Sequence, residues 1–518
     1  MSTDDFTSRL RAATELLEAL VADRGPLSVL DEPLRRRFLE AAGRVSRPDR
    51  EAARKLAKAF RRAERDERRG ADEAILGATG IRTLRRETVF PTPPAALLDG
   101  SSASARLPLD AGRAGEEGSP GGAPPGELRE ARACYVCKSD FTTLHPFYDQ
   151  LCPPCAALNW QKRNQTANLE GRVALVTGAR VKIGFFAAIK LLRAGARVLV
   201  STRFPIDAAA RYAREPDFPA WRDRLEVHGL DLRHTPSVEA FCKHLNGTLG
   251  RLDFIINNAC QTVRRPPGFY AHMMDRERAG LGALPPQARP LLASYEALRL
   301  QRPALVKAAH PAFAPGLTAS AELSQLALLD EDRGDHSLHL FPEGALDQDL
   351  QQVDLRGRNS WRLGLDEVSA VELLEVHLVN AVAPFVLNAR LKGLMARAPG
   401  QDKHIVNVSA MEGQFYRSFK TDKHPHTNMA KAALNMMTRT SAKDYVKAGI
   451  HMNAVDTGWI TDEDPQEIAA RKVEEHGFHP PLDVVDGAAR ILAPIFDGFL
   501  SGEHQWGLFL KDYKPAPW

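Results

Sequence analysis

RVALVTGARVKIGFFAAIKLLRAGARVLVSTR, residues 172–203, changes character three times. Arg172–Thr177 is a short apolar run stopped by a glycine, which suits a buried strand better than a helix. Gly178-Ala-Arg-Val-Lys-Ile-Gly184 breaks the run, Phe185–Ala194 continues as a helix, and Ala196–Arg203 reads as a second apolar strand. A strand, a glycine-bearing turn, a helix and a second strand make a parallel βαβ unit, because the crossover is long enough to carry the helix. In such a unit phosphate oxygens approach the backbone N–H groups at the start of the helix. The expected fold class is therefore α/β, a Rossmann-type parallel sheet; the motifs further along the chain imply that it is doubly wound and occupies 168–518.

Upstream stand Cys134-Tyr-Val-Cys137 and, after 14 residues, Cys152-Pro-Pro-Cys155. Each CxxC turns two thiolates toward one centre, so Cys134, Cys137, Cys152 and Cys155 are the expected ligands of a structural Zn2+ in a small module over 133–160. Four thiolates leave no open position for catalysis; redox-active cysteines or disulfides are the alternatives. Residues 91–132 shift to Pro, Gly, Ser and Ala, with too few bulky apolar groups to offset the entropy of ordering, and read as a disordered linker. Ahead of the linker, apolar residues at helical spacing over 5–23, 33–42 and 50–69 predict a helical N-terminal region, 1–90. In 50–69, Arg54, Lys58, Arg61, Arg65 and Arg68 lie beside the stripe Ala53, Leu56, Phe60 and Ala63. They are either a solvated face or a surface for a protein or acidic partner, nucleic acid included.

The whole chain of 518 residues is 44% hydrophobic and 26% charged, with a formal net charge of +4, too small to make it a polyanion binder throughout. Residues 1–90 hold 20 Lys+Arg against 16 Asp+Glu, so the surplus sits there. No apolar run approaches the roughly 20 residues of a membrane span, and Met1-Ser-Thr-Asp-Asp lacks the order of a secretory signal. With cysteines spaced for metal, these features predict a soluble, cytoplasmic protein that does not enter membranes. No repeat is visible, which excludes a solenoid.

Downstream, Leu230-Asp231-Leu232, Asn257-Asn-Ala-Cys260, Val379-Asn380, Ile405-Val-Asn-Val-Ser409-Ala410, Met429-Ala-Lys431 and Asn453-Ala-Val-Asp-Thr-Gly-Trp-Ile-Thr461 follow in order. Together with Thr177–Gly184 they resemble the short-chain dehydrogenase/reductase family from about Leu169 to the C-terminus, with one interruption. The resemblance implies a dinucleotide lying against Thr177, Gly178, Arg180, Lys182, Ile183 and Gly184, then Arg203, Asp231, Leu232, Asn258 and Ala259, and finally Lys431, Gly458 and Thr461. It also implies hydride transfer to or from a small carbonyl or alcohol substrate of unknown identity, and self-association through helices flanking the sheet. NADP(H) is expected over NAD(H). After the second strand stand Thr202 and Arg203 instead of the carboxylate that would bind ribose hydroxyls, and a guanidinium suits a 2′-phosphate. Lys182 adds charge in the turn, or else points to solvent.

The catalytic pattern departs from the family's. Lys431 and Asn380 are present, but Thr427 stands where the acid/base tyrosine belongs, and Ala410 at the serine position leaves Ser409 one place early. An aliphatic hydroxyl titrates far too high to replace a phenol. Tyr416 and His426, with His424, lie in the segment between Ala410 and Thr427; each is either a substitute acid or an ordinary packing or surface residue. The other departure is an insertion at about 262–370, with helical stretches expected near 289–309 and 319–329, which either covers the substrate pocket or binds a protein. Two readings result: an oxidoreductase with a non-standard acid/base, with Tyr416 the first choice, or an NADP(H)-binding sensor or scaffold that is catalytically weak or inactive and acts through the zinc module, basic helices and insert.

Overall fold

The computed structural model describes residues 3–94, 125–300, 320–333, 337–417 and 420–518. The chain divides into two compact units, Met1–Asp72 and Glu73–Trp518. The first is built from helices Thr3–Ala22, Glu32–Ser46 and the start of Arg50–Gly77. The second of these begins where the Asp31 carboxylate accepts the Leu34 N–H, ahead of a proline in the first turn. Leu56 and Phe60 are more than half exposed, so the apolar stripe of the third helix is not buried within the described chain.

In the larger unit, strands β1 (Glu127–Ala133) and β2 (Asp140–Thr143) pair antiparallel, and the helix Pro153–Asn164 follows. The linker expected over 91–132 therefore ends earlier than its composition implies, because Leu128 is buried and β1 has a partner. Residues 95–124 of that span lie outside the described residues. The cysteine-bearing module is fixed to the rest of the unit by a buried charge network. Arg163 donates to Asp483 (2.6 Å) and Asp486 (2.9 Å), and the Tyr148 hydroxyl donates to Asp486 (2.6 Å). A guanidinium so deeply buried is tolerated only because both carboxylates meet it.

The principal sheet holds eight strands: β3 (Val173–Thr177), β4 (Arg197–Thr202), β5 (Leu225–Gly229), β6 (Phe254–Asn257), β7 (Lys403–Ser409), β8 (Ile450–Asp456), β9 (Phe509–Lys511) and β10 (Lys514–Ala516). Their order is β10-β9-β8-β7-β6-β3-β4-β5, parallel except for β10. Every residue of β3, β7 and β8 is buried, as expected of parallel strands covered on both faces. Helices Lys182–Arg193 and Val484–Ser501 cover one face; Thr235–Thr248 and Ala383–Arg397 cover the other. The chain leaves β3 toward β4 and returns to the opposite side at β6, so a crevice opens at the carboxyl ends of β3 and β6.

The stretch Ala370–Arg397 is the one described segment long and apolar enough to cross a membrane. Glutamates and two asparagines interrupt it, so no unbroken apolar run announces it, and Val376, Leu387, Leu391 and Leu394 on its inner side are core. The insertion carries the helix Pro267–Ala279 and a 3-10 turn, Pro286–Leu292, leading into the helix Ala293–Leu300. The rest of the helix expected to 309 lies outside the described residues. The one expected over 319–329 is only a 3-10 turn, Glu322–Gln325. There the Asp332 carboxylate accepts the N–H groups of Leu328 and Leu329 and competes with helical bonding.

Candidate active site

A cleft of about 1100 Å3 runs along the carboxyl ends of the strands. Its floor is the turn after β3. Gly178 has φ +65°, and a Cβ there would lie 2.8 Å from the Ala259 Cα. A Cβ on Gly184 would lie 2.3 Å from Asn258 Nδ2 and 2.4 Å from the Gly178 carbonyl oxygen. Both positions therefore accept only glycine. Asn258 donates to the carbonyls of Thr177 (3.0 Å) and Gly178 (3.1 Å), while the Thr177 hydroxyl accepts the Ala259 N–H (3.0 Å). Asn258 and Ala259 thus brace the turn. Lys182 adopts φ +54°, a left-handed conformation costly for a residue with a Cβ. Burial works against its charge, but Glu463, Asp349 and Asp347 outweigh it and hold its pKa above the ordinary value. Ile183 lies beside it in the cleft wall.

At the β4 end, the Arg203 guanidinium donates to the Tyr270 hydroxyl (2.6 Å) and stacks on that ring (4.5 Å). Tyr270 belongs to the insertion, which therefore lines the cleft. Asp207, the first carboxylate after β4, is clamped by Arg180 (2.7 Å) and Arg211 (2.6 Å). Arg180 lines the cleft but has its charge matched there. Asp231 is buried and held by Arg233 (2.7 Å), with Leu232 alongside.

The opposite end gathers the family's catalytic positions. Lys431 is buried and donates to the Val408 carbonyl (2.8 Å). Asn380 sits in a π-helical turn, Leu378–Val382, where its carboxamide accepts from Gln261 N (2.8 Å) and donates to Gln261 O (3.0 Å). Ser409 donates to Asn435 (2.5 Å), while Thr427 lines the cleft with a buried hydroxyl that has no partner among the described residues. Thr461 donates to Glu463 (2.7 Å), and Gly458 donates its N–H to Asp456 (2.7 Å). Tyr416 is 47% exposed, its hydroxyl 3.7 Å from the Met411 sulfur. His426 is buried with Nε2 3.4 Å from Glu372, and His424 stacks on Trp361 at 3.9 Å. Neither Tyr416 nor His426 is among the residues lining the cleft.

A phenol does line it. Tyr135, inside the first CxxC, accepts the Trp459 N–H at its hydroxyl (2.9 Å), beside Gly458. Lys511 lies 5.5 Å from its ring centroid and 4.0 Å from Asp456. Burial raises the Tyr135 pKa, and Lys511 pulls against it. The sequence singles out the cysteines on either side but not this residue, since nothing local links it to Gly458. The four sulfurs lie within 4.8 Å of one another, Cys137 and Cys152 at 3.5 Å, with the Cys152 N–H donating to Cys134 Sγ (3.3 Å). Four converging thiols with a backbone donor form a donor set that fits zinc.

The description "short chain dehydrogenase" matches residues 172–275, and "Enoyl-(Acyl carrier protein) reductase" matches 360–479. An uncharacterized protein of Acanthamoeba polyphaga mimivirus is 30% identical over 381 residues, covering 70% of this chain and 71% of its own. Mouse retinol dehydrogenase 11 is 36% identical over 109 residues, 20% of this chain and 34% of that protein. A short chain dehydrogenase from Burkholderia cenocepacia, solved with NADP, aligns over 66% of this chain and 97% of its own, at 17% identity and a TM-score of 0.40. The chain belongs to the short-chain dehydrogenase/reductase family of oxidoreductases.

Proposed function

We propose that the protein is an NADP(H)-dependent oxidoreductase interconverting a carbonyl and an alcohol, with the cysteine module contributing to the active site. The bound nicotinamide supplies or accepts the hydride; everything else is the work of this chain. The observation that carries the cofactor choice is Arg203. It is stacked on Tyr270 at the end of β4, while Asp207, in the helix Pro205–Tyr212 that follows, is neutralised by two arginines, and Asp231 is held by Arg233. A 2′-phosphate there meets a guanidinium beside carboxylates that are already paired with arginines. Gly178 and Gly184 clear the approach for the pyrophosphate, with Lys182 adding charge at the helix N-terminus.

Tyr135 is the acid/base in this reading instead of Tyr416, because its phenol faces the cleft next to Gly458. Its own proton is committed to no acceptor among the described residues, and Lys511 takes the part of the cation that eases ionisation. Zn2+ on the four cysteines would hold that phenol in place. The basic face of residues 50–69 stays a proposed site for an acidic partner. Leu374, Phe385 and Met436, half or more exposed on the flanking helices, suit a homo-oligomer.

The internal hydrogen bonds of Ser409, Lys431 and Asn380 favour the second reading, a nucleotide sensor. Titration with NADPH and NADH, alongside Arg203→Ala, tests the cofactor assignment. NADPH is expected to bind more tightly, and the substitution to weaken NADPH at least tenfold, about 1.4 kcal/mol, with NADH little changed. Equal loss for both nucleotides would remove the phosphate assignment. Binding with no turnover across carbonyl substrates would leave the sensor.

A further inference from the structure

The amino ends of β7 and β8, away from the cleft, carry a second cluster of metal-ligating groups that the cofactor cleft does not use. His404 is the second residue of β7, His451 the second of β8, and His504 lies in the loop before β9. The β7–β8 register places His404 directly against His451. The three rings form a nearly equilateral triangle with centroids 5.3, 5.0 and 5.0 Å apart. Each offers a nitrogen within 4.8 Å of the other two. His404 and His451 are buried and His504 is half-buried.

We infer that His404, His451 and His504 form a binding site for a divalent transition metal, zinc in the first instance, tying β7, β8 and the segment leading to β9. Three further features point the same way. His451 is oriented by Nδ1, which lies 3.2 Å from the Lys403 carbonyl; donation there leaves Nε2 bare, the arrangement that fixes a metal-binding imidazole. His404 Nε2 meets His504 Nδ1 at 2.9 Å, and a metal at about 2.0–2.1 Å from each nitrogen needs them only a few tenths of an ångström further apart. The helix Val484–Ser501 leaves the necessary room, since a Cβ on Gly498 would lie 2.2 Å from His504 Nδ1.

Imidazoles alone suit zinc, copper or nickel rather than magnesium or calcium, and three of them leave a position for water. The cluster is about 17 Å along β7 from Ser409, so it is separate from the cleft.

The test is zinc stoichiometry of the full chain, stripped by a chelator, reloaded with Zn2+ and freed of unbound metal. The wild-type chain is expected to retain one zinc more than His504→Gln, and one more than Gly498→Ala, which keeps all three ligands but crowds one. The cysteine module is the same in all three proteins, so the difference counts this site whatever the module holds. Equal zinc in proteins with matching circular dichroism would overturn the inference. Should neither variant fold, X-ray absorption of the wild type at two zinc equivalents decides. Imidazole scattering beside sulfur is the expected result, and sulfur alone overturns the assignment.

Discussion

Tyr135→Phe removes one oxygen and separates two roles of the same side chain. The structural role is a single accepted hydrogen bond, from Trp459 N–H at 2.9 Å. Trp459 is 44% exposed and its N–H can turn to water, so the loss of stability stays near the low end of about 0.5–1.5 kcal/mol. The catalytic role is much larger: removing a general acid/base lowers kcat by about 10²–10⁴-fold, roughly 3–5 kcal/mol of barrier. NADPH consumption with a carbonyl substrate, paired with nucleotide titration by fluorescence, reads the two apart. The expected result is a kcat loss of at least a hundredfold, NADPH affinity within about twofold, and a melting temperature lowered slightly. Lys511→Met adds a directional check. Burial raises the Tyr135 pKa, Lys511 lowers it, and Asp456 and Asp512 raise it. Losing the lysine therefore lifts the phenol further, and the pH at which alcohol oxidation rises, which needs the phenolate, moves upward. A Tyr135→Phe protein with kcat within about threefold of wild type refutes the assignment, and so does a loss of NADPH affinity as large as the loss in kcat.

Three other outcomes follow from the same geometry. Thr427→Val replaces a buried hydroxyl with no partner among the described residues, so the melting temperature should hold or rise and kcat should change little; a hundredfold fall would return the chemistry to Thr427. Removing metal with a chelator should cut kcat more than NADPH affinity, since Tyr135 sits between Cys134 and Cys137; unchanged kcat in the metal-free protein counts against zinc holding the phenol. Glu277 accepts the Ile206 and Asp207 N–H groups, and burial pushes its pKa up to about 7, with the Asp207 charge adding to this and Arg180 opposing. The folded state then keeps a proton that the unfolded chain releases above pH 4.5. The stability that Glu277 contributes is therefore greatest below that pH and falls as pH rises toward about 7, by on the order of 2 kcal/mol after solvent screening. Denaturant midpoints for Glu277→Gln across this window should show a flatter slope; an unchanged slope would remove Glu277 as its source.

The parts of the fold legible in the amino-acid order are those whose cause is local. Val173–Thr177 and Arg197–Thr202 read as strands because a short apolar run, set off by Gly171 and Gly178 or by Gly195, suits a buried strand better than a helix. The cysteine pairs read as a metal knuckle because two residues between thiols fix their convergence. The break in the catalytic pattern is also legible, as Thr427 stands one helical turn before Lys431. What replaces it is not. Tyr135 lies more than three hundred positions before Gly458, and contacts distant in sequence, the Arg163–Asp483–Asp486 network among them, bring it to the cleft. Likewise His404, His451 and His504 share no spacing motif; the parallel register of β7 and β8 and the return toward β9 make them neighbours. Local preference depends on the few residues around a position, whereas such meetings depend on which strands lie side by side and which faces pack. That information is spread over the whole chain, and it becomes a distance only when the chain is folded.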